Sequence, residues 1–311
     1  MRTLFFFIIL LIVLHCKYNK YTNNQYSILQ IDGSTISKNK LEEYFRQKLP
    51  LVITSIGKQW SELMRLTPTY IYKYCTNYRV KIHTSIKEQQ ATRIKTVTMR
   101  EFIIFHVNGQ TQKNIQQNKQ QKQSQFGYIS NDSSFLKDYG LVQLLERYAS
   151  DLLPPLTLIK SYLFSMGPKE TKIGLQYETN MRNIIYLIYG KIKIILFSPK
   201  YSKYLYKSNR YDNEAVLSAV HFWNPNTGKY PLFKKAQYIE IILYPGQLFY
   251  IPAYWWYAIE FQDTSVFITM KANNVFSSIE RIPNIVSSLY HLGGKYKTNN
   301  CTCHNSPTGA K

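Results

Sequence analysis

Histidine and cysteine are the side chains best suited to holding a metal, and this chain has six of the first and four of the second. His15, His83, His106, His221, His291 and His304 are spread along the chain, and no zinc-finger pattern joins them. Cys301-Thr302-Cys303-His304 near the C-terminus reads as half a zinc site. No second cysteine pair completes four ligands, so free thiols are the favoured reading there. With Cys16 and Cys75 the cysteines are too few for a disulfide-built fold. Glycosylation sequons occur at Asn131-Asp132-Ser133 and Asn300-Cys301-Thr302, as many as an asparagine-rich chain yields by chance, so they establish no secretory route.

The charge balance points to partners rather than to catalysis. Against 39 Lys and Arg stand 18 Asp and Glu, a formal net charge of +21 over 311 residues. A pI near 9.6 suits nucleic acid, anionic lipid or an acidic protein. The excess of Tyr, Lys, Asn, Ile and Gln also reads as an AT-rich coding bias, which discounts part of that charge. The cations are scattered and form no basic helix or helix-turn-helix pattern, so no specific nucleic-acid partner is expected. With 45% apolar and 15% aromatic residues the chain can build a core of one large domain or two ordinary ones.

The elements that would position a site follow from hydrophobic patterning. An unbroken apolar run from Leu4 to Leu14, flanked by Arg2, Lys17 and Lys20, is a membrane-directed segment. A helix from Thr3 to Cys16 spans about 21 Å against a hydrocarbon core of about 30 Å, so a signal segment and a short uncleaved membrane helix both remain open. Leu41 to Leu49 has helical spacing, and Leu51-Val52-Ile53 reads as a short buried strand. Val107 to Phe126 holds eight Gln and no acid, a low-complexity surface insertion. Beyond Gly127 the chain becomes strand-rich. Asn183 to Phe197 reads as a hairpin about Tyr189-Gly190-Lys191, and further strands are expected at Tyr238–Tyr244, Gln247–Ile251, Trp255–Phe261 and Ser265–Lys271. Strand alternation predicts that of Trp255 and Trp256 one lies in the core and one on the surface. A weakly amphipathic helix is expected around Ile279 to Leu292. Such spacing implies an antiparallel sandwich or barrel.

Specific blocks then carry a resemblance. Tyr230-Pro231-Leu232-Phe233, followed by Leu243-Tyr244-Pro245-Gly246-Gln247-Leu248-Phe249-Tyr250-Ile251-Pro252-Ala253-Tyr254-Trp255-Trp256-Tyr257, resembles the signature of cupin-like JmjC proteins of the asparaginyl-hydroxylase type. Pro50 to Ile53 leading to Trp60, Met99 to Phe105 and Met166-Gly167-Pro168 fall in the same order as in that family. The resemblance covers roughly residues 45 to 275. It implies a mainly β fold with flanking helices, a double-stranded β-helix (cupin, jelly-roll) barrel, to which the short N-terminal membrane helix is added. It also implies iron and 2-oxoglutarate chemistry, with two histidines and a carboxylate holding Fe(II). At those three ligand positions this chain has Gln176, Glu178 and Tyr257. At the positions that hold 2-oxoglutarate it has Asn183, Ile192 where a lysine is usual, and Lys271 where an asparagine is frequent.

The expected organisation is an anchor or signal segment at 1–26, an N-terminal part of the JmjC-like domain at 27–106, the Gln-rich insertion at 107–126, the barrel core at 127–275 and a helix and tail at 276–311. The expected function is that of a catalytically inactive pseudoenzyme without cofactor or bound metal. It would serve as a membrane-anchored accessory subunit of a larger complex, held in the bilayer through Leu4–Leu14. Mitochondrial membranes are preferred to the endoplasmic reticulum or secretory pathway, on the basic charge and lack of a disulfide framework. A module binding a small molecule or peptide in the barrel, and an atypical 2-oxoglutarate oxygenase, are the alternatives.

Overall fold

A computed structural model of the chain describes residues 27–278 apart from 57–59, 87–88, 108–126 and 209–214, together with Val286 and Tyr290. Its N-terminal part supplies helices and edge strands. Strand β1 (Leu29–Asp32) lies parallel to β2 (Leu51–Thr54). Between them, helix α1 (Lys38–Arg46) starts at Ser37, whose Oγ accepts from the Lys40 amide, and buries Leu41 and Phe45 one turn apart on a single face. Helix α2 (Pro68–Tyr74) is capped by Thr67 and has proline in its first turn, where no amide is needed. Strands β3 (Arg79–Ile86) and β4 (Gln89–Thr98) run antiparallel. A reciprocal cap between Thr98 and Glu101 opens α3 (Met99–Phe102), which passes into a π-helical turn at Ile103–Val107. Val107 is buried in that turn, so the expected loop begins no earlier than residue 108, and 108–126 lie outside the described residues. Strand β5 (Gly127–Asp132) and helices α4 (Ser134–Asp138) and α5 (Leu141–Ala149) follow.

The barrel is made from β6 (Thr157–Gly167), β7 (Lys172–Tyr177), β8 (Arg182–Tyr189), β9 (Ile192–Phe197), β10 (Val216–Leu217), β11 (Ile239–Leu243), β12 (Leu248–Tyr250), β13 (Trp256–Phe261) and β14 (Ser265–Asn274). Among the described residues the strands form one sheet in the order β1-β2-β12-β8-β14-β6-β5-β3-β4 and a second in the order β10-β7-β13-β9-β11. From β6 to β9 and from β11 to β14, each strand crosses to the other sheet, which is the winding of a jelly roll. The hairpin expected about Gly190 is therefore corrected. β8 pairs with β12 and β14, whereas β9 pairs with β11 and β13. The tight turn carries the chain between sheets. Gly190 has φ 85°, and a Cβ there would collide with the Thr264 carbonyl and with Ser265. Period-two patterning marks both strands but does not say which sheet each joins.

Strand alternation sorts the side chains into three apolar layers. Val52, Ile185, Leu187, Ile192, Ile194, Phe249, Phe261 and Phe267 fill the space between the sheets. On the back of the large sheet, Ile184, Tyr186, Tyr250, Ile268 and Met270 meet Phe45, Trp60, Phe102 and Phe135. Behind the small sheet, Leu175, Ile195, Phe197 and Trp256 lie under residues from the 199–236 excursion, including Leu205 and Phe222. This corrects the tryptophan expectation. Trp255 faces inward and Trp256 outward, yet both are buried, because the excursion roofs the outer one and Ser202 Oγ accepts from Trp256 Nε1 at 2.9 Å. No helix among the described residues is long and apolar enough to cross a membrane. Leu4 to Leu14, the helix expected around Ile279 to Leu292 except Val286 and Tyr290, and the Cys301–His304 cluster lie outside the described residues.

Candidate functional site

One end of the barrel interior is polar and the other apolar. On β14 the inward residues change from Phe267 through Thr269 to Lys271 and Asn273, and on β8 from Leu187 through Ile185 to Asn183. Pairing puts Lys271 directly beside Asn183 and Tyr257 beside both Gln176 and Leu196. Gln176 and Glu178, two residues apart, share the inner side, while Leu175 and Tyr177 turn outward to Trp256.

These side chains form a closed hydrogen-bond network centred on Glu178, which is 3% exposed. Tyr257 donates its hydroxyl proton to Glu178 Oε1 at 2.7 Å and accepts from Gln176 Nε2 at 2.9 Å. On the other carboxylate oxygen, Oε2, the Lys271 ammonium sits at 3.0 Å and Asn180 Nδ2 at 2.8 Å. Asn273 Nδ2 donates to Asn180 Oδ1 at 2.7 Å, and Asn273 Oδ1 accepts from the Met181 amide at 3.0 Å. Asn183 is turned toward the Tyr257 hydroxyl, with no donor for its own Oδ1 among the described residues. Burial first, and then the charge of Glu178 and its hydrogen bond, hold the Tyr257 phenol well above its ordinary pKa, so it stays neutral. Charge is balanced, because Lys271 and Glu178 are the charged side chains buried between the sheets among the described residues.

Five of the six positions singled out from sequence thus come together: Gln176, Glu178, Tyr257, Asn183 and Lys271. Ile192 does not. It pairs with Phe261 and Leu243 in the apolar end, four residues along β13 from Tyr257 or about 13 Å. Asn180 and Asn273 went unnoticed in the sequence. Their signal was available in part: Asn273 continues the inward alternation 267, 269, 271, and an inward lysine in a strand requires a carboxylate near it.

Iron and 2-oxoglutarate, which the resemblance implies, can be set against this donor set. A carboxamide and a neutral phenol are poor ligands for Fe(II), and both oxygens of the carboxylate are already engaged. A dication about 4 Å from the Lys271 ammonium would meet roughly 8 kcal/mol of repulsion at an effective dielectric of about 20. His83, His106 and His221 lie on β3, the π-helical turn and the excursion, and no group of three or more His, Cys, Asp or Glu occurs among the described residues. The residues present do not fit iron. Beside the network a cavity of about 20 Å³, lined by Asn131, Ser165, Gln176, Tyr257 and Thr269 among others, has room for about one water molecule.

Comparisons with known proteins agree with the architecture. The JmjC domain-containing protein D of Dictyostelium discoideum is 39% identical over 95 residues, 30% of this chain and 21% of that protein. Human HSPB1-associated protein 1 is 32% identical over 82 residues, 26% of this chain and 17% of its own length. The chain thus spans about a fifth of the length of these two relatives. Mouse tRNA wybutosine-synthesizing protein 5 is 24% identical over 238 residues, covering 73% of this chain and 71% of that protein. The family profile described as the cupin-like domain matches residues 37–274, from the start of α1 to the end of β14. With that match and its JmjC-type relatives, the chain belongs to the cupin-like, JmjC-type domain family.

Proposed function

We propose that this protein is a catalytically inactive member of its family that works as a structural accessory subunit of a membrane complex. The observation that carries the reading is the state of Glu178: a carboxylate that would have to bind metal is instead fully engaged by Tyr257, Asn180 and Lys271. The packed interior supports it as well. A cavity of about 20 Å³ is far below the several hundred Å³ of a small-molecule site, which disfavours the barrel as a ligand-binding module.

The surface supplies what a scaffold needs. In the excursion over Trp256, Lys200, Lys203, Lys207, Lys229, Lys234 and Lys235 are exposed, and residues 198–238 carry seven Lys and Arg against two acids, Asp212 and Glu214. Tyr206 meets Tyr230 edge to face and accepts from the Leu232 amide, tying the two halves of this excursion into one surface. Leu156, Leu158 and Phe276 are exposed where β6 and β14 meet, an apolar area that a partner would cover. Membrane attachment through Leu4–Leu14, with mitochondrial membranes preferred, completes the proposal. Its partner surface is acidic by charge complementarity.

The test is co-purification of the full chain from its native membranes. The expected result is a stable complex that the triple substitution Lys203→Glu, Lys234→Glu, Lys235→Glu weakens at least several-fold, while circular dichroism stays unchanged. A chain recovered as a soluble monomer without partners would overturn the reading.

A further inference from the structure

We propose that Lys271 is the resident cation of the barrel: its ammonium neutralises Glu178, the one carboxylate among the three positions at which the family resemblance places metal ligands. The inference deepens the proposed inactivity and rests on it. Three observations carry it. Alternation on β14 sends Lys271 inward with Phe267 and Thr269, so the charge is built into the strand and not borrowed from the surface. Its Nζ lies 3.0 Å from Glu178 Oε2, with both side chains more than nine-tenths buried. And Glu178 is the hub through which Gln176, Tyr257, Asn180 and Asn273 are connected, so whatever neutralises this carboxylate orders the whole polar end of the barrel.

The functional consequence is constancy. In a barrel whose central carboxylate is neutralised by a metal, the polar end depends on metal supply. Here the cation is covalently attached, so the barrel mouth and the surfaces built on it hold one conformation whatever the supply of iron or 2-oxoglutarate. A scaffold benefits from that independence.

A charge cycle on the full chain tests this, with Lys271→Met, Glu178→Gln and the double substitution followed by thermal unfolding, and with Mn²⁺ as the probe cation. Lys271→Met should lower the melting temperature by about 10 °C, because it strands a buried carboxylate. The double substitution should regain at least half of that loss. Millimolar Mn²⁺ should raise the melting temperature of Lys271→Met, whose Glu178 again needs a cation, and leave the wild type and double variant unchanged. If Lys271→Met does not fold, a folded double variant still supports the proposal. A single variant as stable as the wild type, a double variant no better than the single, or no Mn²⁺ response in a folded single variant overturns it. Stoichiometric Mn²⁺ binding by the wild type would be a different failure, because it would remove the underlying reading of a metal-independent barrel.

Discussion

Glu178 and Tyr257 face the same demand, that a polar group buried between two sheets find all its partners, and one hydrogen bond between them serves both. Removing one partner has a graded cost. Tyr257→Phe deprives Glu178 of one donor and Gln176 of one acceptor, and should destabilise the fold by about 1–3 kcal/mol in urea unfolding. Glu178→Gln strands the Lys271 ammonium and should cost more, about 3–5 kcal/mol. Burial also keeps several phenols neutral: Tyr128, Tyr162 and Tyr177 are pushed up to about 12, and Tyr257 is raised as well. Below about pH 10 both folded and unfolded chains hold these protons. Above it the unfolded chain releases them first, so the contribution of these phenols to stability should be level to about pH 10 and then fall. Tyrosinate absorbance from the buried set should emerge together with unfolding and not ahead of it. Of the site, Gln176, Glu178 and Tyr257 were legible because motif spacing carries their positions. That Lys271 completes Glu178 was not, since 93 residues separate them and only sheet register brings them together.

At the level of elements the sequence marked strands well and their partners poorly. The run from Asn183 to Phe197 was legible as two strands about a glycine, since β-branched and aromatic residues flank a turn residue. Sheet membership depends on where the turn points, and that is fixed by packing of residues 189–191 against 263–265. There Lys191 and Ser265 exchange backbone and hydroxyl hydrogen bonds. Gly190→Ala would meet both the left-handed φ and the Thr264 carbonyl, and should cost at least about 2 kcal/mol. Urea unfolding measures it, with a cost below about 0.5 kcal/mol counting against this account of the crossover. Trp256 shows the same limit of local patterning. Alternation set it opposite to Trp255 without saying which of the two turns outward, and the roof over it comes from an excursion that begins 57 residues earlier, at Pro199.

For the whole molecule, the family framework is retained, while the chemistry of its site is proposed to have been replaced. The sheet order, the crossings and the convergence of five expected positions are those of a cupin-like barrel, whereas the charges inside it cancel without a metal. The net charge of +21 and the exposed lysines of the excursion are what the proposed acidic partner would meet. The most direct test of that central claim is an anaerobic calorimetric titration of the full chain with Fe(II) and then 2-oxoglutarate, followed by admission of oxygen and assay for succinate. The expected result is no stoichiometric heat of binding for either and no succinate above a protein-free blank. One-to-one Fe(II) binding at micromolar affinity, or succinate formed in proportion to the protein, would contradict it.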